Sequence, residues 1–137
     1  MKANILELLP RIKTRVPLAP YTTFKIGGAA RYFFIAKSTK EVVEAVAAAK
    51  KCKVPFFVLS GGSNILVSDR GFPGLVIYIK NANYKIRGRK LYSEAGVSLD
   101  VLVRETAKKG LSGLEWAGGL PGSVGGAVRG NAGAFGG

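Results

Sequence analysis

The spacing of apolar residues changes period along the chain, and each change predicts an element. Asn4 and Glu7 are spaced as a capping pair for a short helix carrying Ile5, Leu8, Leu9 and Ile12, which Pro10 strains or ends. Beyond Pro17 and Pro20, residues 21–37 (YTTFKIGGAARYFFIAK) predict an extended segment, a glycine turn at Gly27 and Gly28, and a strand over residues 31–36. Ser38, Thr39, Lys40 and Glu41 form a capping box, and Val42, Val43, Val46, Ala49 and Cys52 recur at helical spacing behind it. Pro55 stops that helix. Phe56, Phe57, Val58 and Leu59 then make an unbroken apolar run that predicts a buried strand. Strand, helix and strand within about thirty residues is the size of a βαβ unit with parallel strands and a right-handed crossover.

Gly71, Phe72, Pro73 and Gly74 predict a turn, followed by a strand over residues 75–80. From Tyr84 the pattern changes, because residues 84–88 (YKIRG) and 90–96 (KLYSEAG) flank a turn at Gly88 and Arg89 and predict an antiparallel hairpin. Ser98 caps a helix carrying Leu99, Leu102, Val103 and Ala107, closed by Lys108, Lys109 and Gly110. The chain thus divides into a βαβ-containing subdomain, 1–83, and a second, 84–137, that begins an antiparallel sheet with helices. The predicted fold class is α+β.

Glycine usage changes this picture most. Residues 110–137 hold eleven of the nineteen glycines and two charged residues, Glu115 and Arg129, so the segment reads as backbone built for close approach to a ligand. Within it, Pro121 and the run from Gly122 predict a short helix whose first amides face that ligand. Residues 59–69 (LSGGSNILVSD) have the same character and lie at the carboxyl end of the second strand of the βαβ unit, the edge where α/β sheets collect ligands. Two readings fit this loop on spacing: phosphate held by exposed amides, or a tight turn in which Ser63 and Asn64 bond their own backbone. Trp116 fits a stacking platform or a core position, Thr22 and Thr23 fit ligand contacts or strand pairing, and Asp69 is placed to cap the turn at Gly71.

At 137 residues and 47% hydrophobic the chain is one domain's worth with enough apolar material for a core. Its formal charge of +13 points to anionic partners, whether nucleic acid, membrane surface or phosphorylated small molecules. The basic residues fall in small scattered clusters, the pattern of a solvated face. No segment approaches the roughly 18 apolar residues of a membrane span, and the first residues lack a secretory signal, so the expected location is cytoplasmic. There is no histidine, Cys52 is the single cysteine, and the eight acids are dispersed, which excludes a Ser-His-Asp or Cys-His arrangement and a zinc or other metal site. Neither the P-loop motif nor G-x-G-x-x-G opening a helix is present. Demanding chemistry would have to come from a cofactor or from residues elsewhere.

The motifs TTFKIGGAAR (22–31), VLSGGSNILVSDRGFPGLVI (58–77), EAGVSLDVLV (94–103) and GLSGLEWAGGLPGSVGGAVRGNAGAFGG (110–137) run in an order that resembles the N-terminal, FAD-binding part of the UDP-N-acetylenolpyruvoylglucosamine reductase (MurB) family. The resemblance implies the PCMH-type FAD-binding fold. It implies that Ser60, Gly61, Gly62, Ser63 and Asn64, flanked by Leu59 and Ile65, hold the FAD pyrophosphate. It implies that Leu120, Pro121, Gly122, Ser123, Gly125, Gly126 and Ala127, with Asn131, Ala132, Gly133 and Ala134, run along the flavin and its ribityl-phosphate chain. Gly27 and Gly28 would support that site. Related flavoproteins attach the ring through histidine or cysteine; with no histidine here and Cys52 at a helix end, FAD is expected to be noncovalent. In the family NADPH reduces the flavin, which reduces the enolpyruvyl group of a UDP-sugar in peptidoglycan synthesis; no nucleic acid or membrane partner is implied.

The family's catalytic serine, glutamate and arginine lie beyond the position of Gly137, as do the rest of the second subdomain and a substrate domain. No catalytic residue is therefore assigned here. The expectation is a truncated FAD-binding lobe with an uncovered sheet edge and apolar surface, able to bind FAD and inactive alone. The alternatives are the flavin lobe of another oxidoreductase and, from a different class, a basic module that binds nucleic acid.

Overall fold

Alternate side chains of two neighbouring strands, Ala29–Ala36 (β2) and Phe72–Ile79 (β4), enter two different cores. Phe34 and Ala36 of β2 meet Leu75, Ile77 and Ile79 of β4 on one face, together with Ile5, Leu9, Ala45, Ala48 and Ala49. Phe33 and Val76 face the other way, toward Leu18 and Leu59. This is the period-two signature of strands covered on both faces. It belongs to a computed structural model that describes residues 3–137 and contains two compact units, one running to Lys80 and the other from Asn81 to Gly137. The chain is mixed α and β, with parallel and antiparallel pairing.

The first unit opens with a single helical turn, Ile5–Leu8 (α1), whose Asn4 side chain accepts from the Leu6 N–H at 3.1 Å. Its sheet has the order β1-β2-β4-β3, where β1 is Lys13–Pro17 and β3 is Phe56–Leu59. β1 runs antiparallel to β2, while β2 and β3 both run parallel to β4. The helix Thr39–Lys51 (α2) carries the chain from β2 to β3, two places across, and β4 later fills the gap. The βαβ unit is present, but its strands are not neighbours.

Several expectations are corrected by this order. β1 has no clear sequence signature: it is an edge strand, mostly exposed, which tolerates Pro17 because one side of its backbone needs no partner. β3 is the opposite edge, so Phe56, Phe57 and Val58 are 36%, 43% and 46% exposed and only Leu59 is buried. The turn expected at residues 71–74 belongs to β4, which starts at Phe72. Ala30 pairs with Phe72 and Tyr32 with Leu75, so β4 carries an extra residue there. That bulge accommodates Pro73 inside a central strand, and a Cβ on Gly74 would stand 2.0 Å from the Pro55 carbonyl oxygen.

In α2 the Ser38 hydroxyl accepts from the Glu41 N–H at 3.2 Å, as a cap should. The Glu41 carboxylate reaches one residue past the cap, to the Lys37 N–H at 2.7 Å, and also pairs with Arg11. Val43, expected on the apolar stripe, is 62% exposed; Ala45, Ala48 and Ala49 form the buried face. The helix closes through Lys53 N–H to Lys50 O and Val54 N–H to Ala49 O, with Lys53 at φ 54°.

The second unit starts with the hairpin Tyr84–Arg87 (β5) and Lys90–Ser93 (β6), joined at Gly88 and Arg89 as expected. Gly96 N–H to Asn81 O and Glu94 N–H to Asn83 O prolong its base. The helix Leu99–Lys108 (α3) follows; Ser98 occupies the cap position, but its side chain makes no capping bond, contrary to expectation. Its end is a two-bond closure, Gly110 N–H to Ala107 O and Leu111 N–H to Thr106 O, with Gly110 at φ +66°. A turn at Glu115–Ala117 and the helix Val124–Gly130 (α4) complete the unit. Among the described residues no helix is long and apolar enough to cross a membrane.

Candidate functional site

The loop after Leu59 leaves the carboxyl end of β3, on the edge where the parallel strands end. Gly62 turns it at φ +64°, buried so closely that a Cβ would lie 2.0 Å from the Tyr21 carbonyl oxygen, and its own carbonyl accepts from the Thr23 N–H at 3.0 Å. The loop is thereby clamped at its centre. Gly61 and Asn64 remain exposed, and the amides of Gly61, Asn64 and Ile65 donate no hydrogen bond among the described residues. Ser60 and Ser63 are half-buried. Unpaired N–H groups in a glycine turn form a concavity for anionic oxygen.

Beyond Asn64 the chain crosses the face of the sheet opposite α2. Ile65 and Val67 pack onto the core of Leu18, Phe33 and Val76, while Leu66 is exposed. An apolar cavity of about 240 Å³ lies beneath, lined in part by Phe57, Leu59, Leu66 and Phe72. The Ser68 carbonyl then accepts two amides, Gly71 N–H at 2.8 Å and Gly28 N–H at 2.9 Å. Ser68, not Asp69, closes the turn, and its hydroxyl also accepts from the Arg70 N–H. Gly28 and Gly71 allow backbone to lie on backbone, since a Cβ would stand 2.2 Å from the Asp69 oxygen in one case and 2.0 Å from the Ala29 oxygen in the other. Thr22 is buried and its hydroxyl donates to Ala19 O and Ile26 O at 3.2 and 3.3 Å, which makes it a staple of the 22–28 loop.

In the second unit the glycine-rich segment is held differently. The first three amides of α4 are already paired: Val124 to Val97 O, Gly125 to Ala95 O and Gly126 to the Ser123 hydroxyl, at 2.9, 2.8 and 3.3 Å. The expectation that they face a ligand is corrected, because Val124 and Gly125 stitch α4 to residues 95–97 and Gly126 is taken by the helix's own cap, Ser123. Gly125 is needed for that packing, as its Cβ would fall 2.8 Å from the Ala95 Cβ. Asn131 ends α4 at φ 48°, and Ala132 N–H bonds to Ala127 O. The amides of Gly122, Gly133 and Ala134 donate no bond among the described residues, and Gly133 is exposed. Leu120 N–H turns back to Ala117 O. Trp116 is half-buried, with Gly137 packed against its indole.

Among the described residues the acids form no metal-binding cluster. Glu115 is held below the ordinary carboxylate value by its own N–H and that of Gly113, the latter at 2.6 Å. No group of three metal-ligating side chains occurs among the described residues. The chemistry that unpaired amides support in each of these loops is the binding of anionic oxygen by backbone.

Known proteins resemble this chain in sequence and in fold. The chain is 42% identical over 136 residues, 98% of its length, to a UDP-N-acetylenolpyruvoylglucosamine reductase of Synechococcus sp. (strain JA-3-3Ab), and 46% identical over 120 residues to that of Caldicellulosiruptor bescii. It covers 44% and 38% of those two proteins, so it spans less than half the length of the curated relatives it matches. The crystal structure of the reductase (MurB) from Thermus caldophilus superposes with a TM-score of 0.75 and 38% identity, over 91% of this chain and 44% of that one. Residues 30–137, which contain both glycine-rich segments, match the family model described as FAD binding domain, and the chain belongs to that family.

Proposed function

We propose that the chain is the FAD-binding portion of a UDP-N-acetylenolpyruvoylglucosamine reductase. The observation that carries this reading is the clamped loop after β3, where Gly62 is locked against Tyr21 and the amides of Gly61, Asn64 and Ile65 have no partner among the described residues. Ser60, Gly61, Gly62, Ser63 and Asn64 would hold the FAD diphosphate, with Leu59 and Ile65 as apolar flanks. Residues 120–123 and 131–134 would lie along the flavin and its ribityl chain, offering the unpaired amides of Gly122, Gly133 and Ala134. Gly125, Gly126 and Ala127 would contribute closeness of approach, since the amides of Gly125 and Gly126 are engaged within the chain. FAD would be held noncovalently, since the sequence has no histidine and its single cysteine, Cys52, caps the end of α2.

When bound, FAD would supply the hydride relay from NADPH to the enolpyruvyl group of the UDP-sugar. The residues of this chain would bind and orient the cofactor and shield its diphosphate, in an environment whose charge of +13 suits anionic ligands. None of its side chains is assigned to proton transfer, so the chain alone is expected to bind FAD without turning over substrate. In the longer protein this reading puts the activity in the cytoplasm, in peptidoglycan precursor synthesis.

The test is a titration of the purified chain with FAD, followed by flavin fluorescence, with FMN as comparator at low and high salt. Saturable binding of FAD that FMN does not match and that salt hardly weakens supports a cradled dinucleotide; steep salt dependence is the mark of a counterion-releasing nucleic-acid module. Absence of FAD binding by a chain that circular dichroism shows to be folded overturns the reading. Reduction of the enolpyruvyl substrate by the chain with NADPH would refute the claim that it is inactive alone.

A further inference from the structure

Lys25 is a residue whose backbone conformation is not explained by its type. Its φ of 58° lies in the left-handed region that favours glycine or asparagine. Lys53 shares that conformation but closes the end of α2, and Arg15 sits on the edge strand β1. Lys25 stands instead in the short loop that braces the anion-binding turn.

That loop is pinned at both ends to the segment after β3. Thr23 N–H donates to Gly62 O at 3.0 Å and Gly28 N–H to Ser68 O at 2.9 Å, while Thr22 holds Ala19 O and Ile26 O. Lys25 N–H closes the turn onto Thr22 O at 3.2 Å. Its side chain is exposed and forms no ion pair among the described residues. A charged side chain is therefore carried, without a partner, two residues from the amide that clamps Gly62.

We propose that Lys25 is a diphosphate-binding residue: its ammonium supplies the formal positive charge beside the Gly61, Asn64 and Ile65 amides. The proposal rests on the reading of that turn as the FAD diphosphate site. Backbone amides offer only partial charges to a doubly charged group, and a lysine on a four-carbon stem is a point charge suited to complete the neutralisation. Asp69 is the one acid on the adjoining segment, and it forms no ion pair with Lys25 among the described residues.

The experiment compares the whole chain with Lys25→Asn, Lys25→Arg and Lys50→Asn, a control on the last turn of α2. Asparagine removes the charge while accepting the left-handed backbone, so folding is retained and is checked by circular dichroism. FAD, ADP and riboflavin are the probes. The expected result is a loss of about tenfold in FAD and ADP affinity for Lys25→Asn, with riboflavin unaffected. Recovery in Lys25→Arg and no change in Lys50→Asn complete the expectation. Wild-type binding of FAD with an equal affinity in Lys25→Asn overturns the role of Lys25 and leaves the site standing. An equal loss for all three probes assigns Lys25 to loop structure and likewise overturns it. Failure of the wild-type chain to bind FAD or ADP removes the underlying site and the proposal with it.

Discussion

At the scale of single residues, glycines that look alike in sequence do unlike things. Gly62 and Gly88 both have positive φ, +64° and +55°, yet a Cβ on Gly62 would enter the Tyr21 carbonyl, whereas Gly88 faces open space. Only the first is bound to its neighbours. Gly62→Ala is expected to lower stability by more than about 2 kcal/mol, since a left-handed alanine and a backbone collision act together. Gly88→Asn is expected to cost less than about 1 kcal/mol, because asparagine adopts that conformation and nothing obstructs it. Urea unfolding of the two variants checks this; equal losses would mean that the clamp at Tyr21 yields easily and does not shape the loop. The clustering of glycines was readable from sequence as a sign of close approach. What each glycine approaches was not, because Tyr21 for Gly62 and Ala95 for Gly125 are distant in sequence and come together only in the fold.

At the scale of elements, legibility followed burial on both sides. β2, β4 and α2 have covered faces, and their apolar periods announced them to within a few residues. β3 has an equally apolar sequence and lies exposed, because its place at the sheet edge depends on β4 inserting beside it later in the chain. β1 has little pattern to read, being an edge strand with exposed lysine and arginine. The start of α2 yields a pH test. The Glu41 carboxyl is held below its ordinary value of 4.5, first by the Lys37 N–H and then by the Arg11 guanidinium. The folded state thus binds that proton more weakly than the unfolded chain, so the stabilisation is present above the ordinary value and is lost as pH falls through the lower, folded one. Glu41→Gln is expected to be less stable than wild type at neutral pH, with the difference shrinking as pH drops below 4.5. Urea unfolding across that range measures it, and a difference independent of pH would show that the carboxylate's charge is not what Arg11 and Lys37 use.

At the scale of the whole molecule, the two units are unequally built. The unit ending at Lys80 has a four-stranded sheet with a core on each face and Phe33, Leu75, Val76 and Ile77 fully buried. The unit from Asn81 has a two-stranded hairpin as its sheet, and a cavity of about 290 Å³ separates Leu91, Leu102, Leu114 and Val124. A lone hairpin is marginal in water, and a unit this small buries too little surface to be stable by a wide margin. Opening free energies should differ accordingly, since local stability tracks buried apolar packing. Hydrogen exchange is expected to be slowest at the amides of β2 and β4, which are paired on both sides, and fastest among the strands at β5 and β6. Exchange from the hairpin as slow as from β4 would mean that the second unit is as stable as the first, with the bonds from Gly96 to Asn81 and from Glu94 to Asn83 securing the hairpin's base.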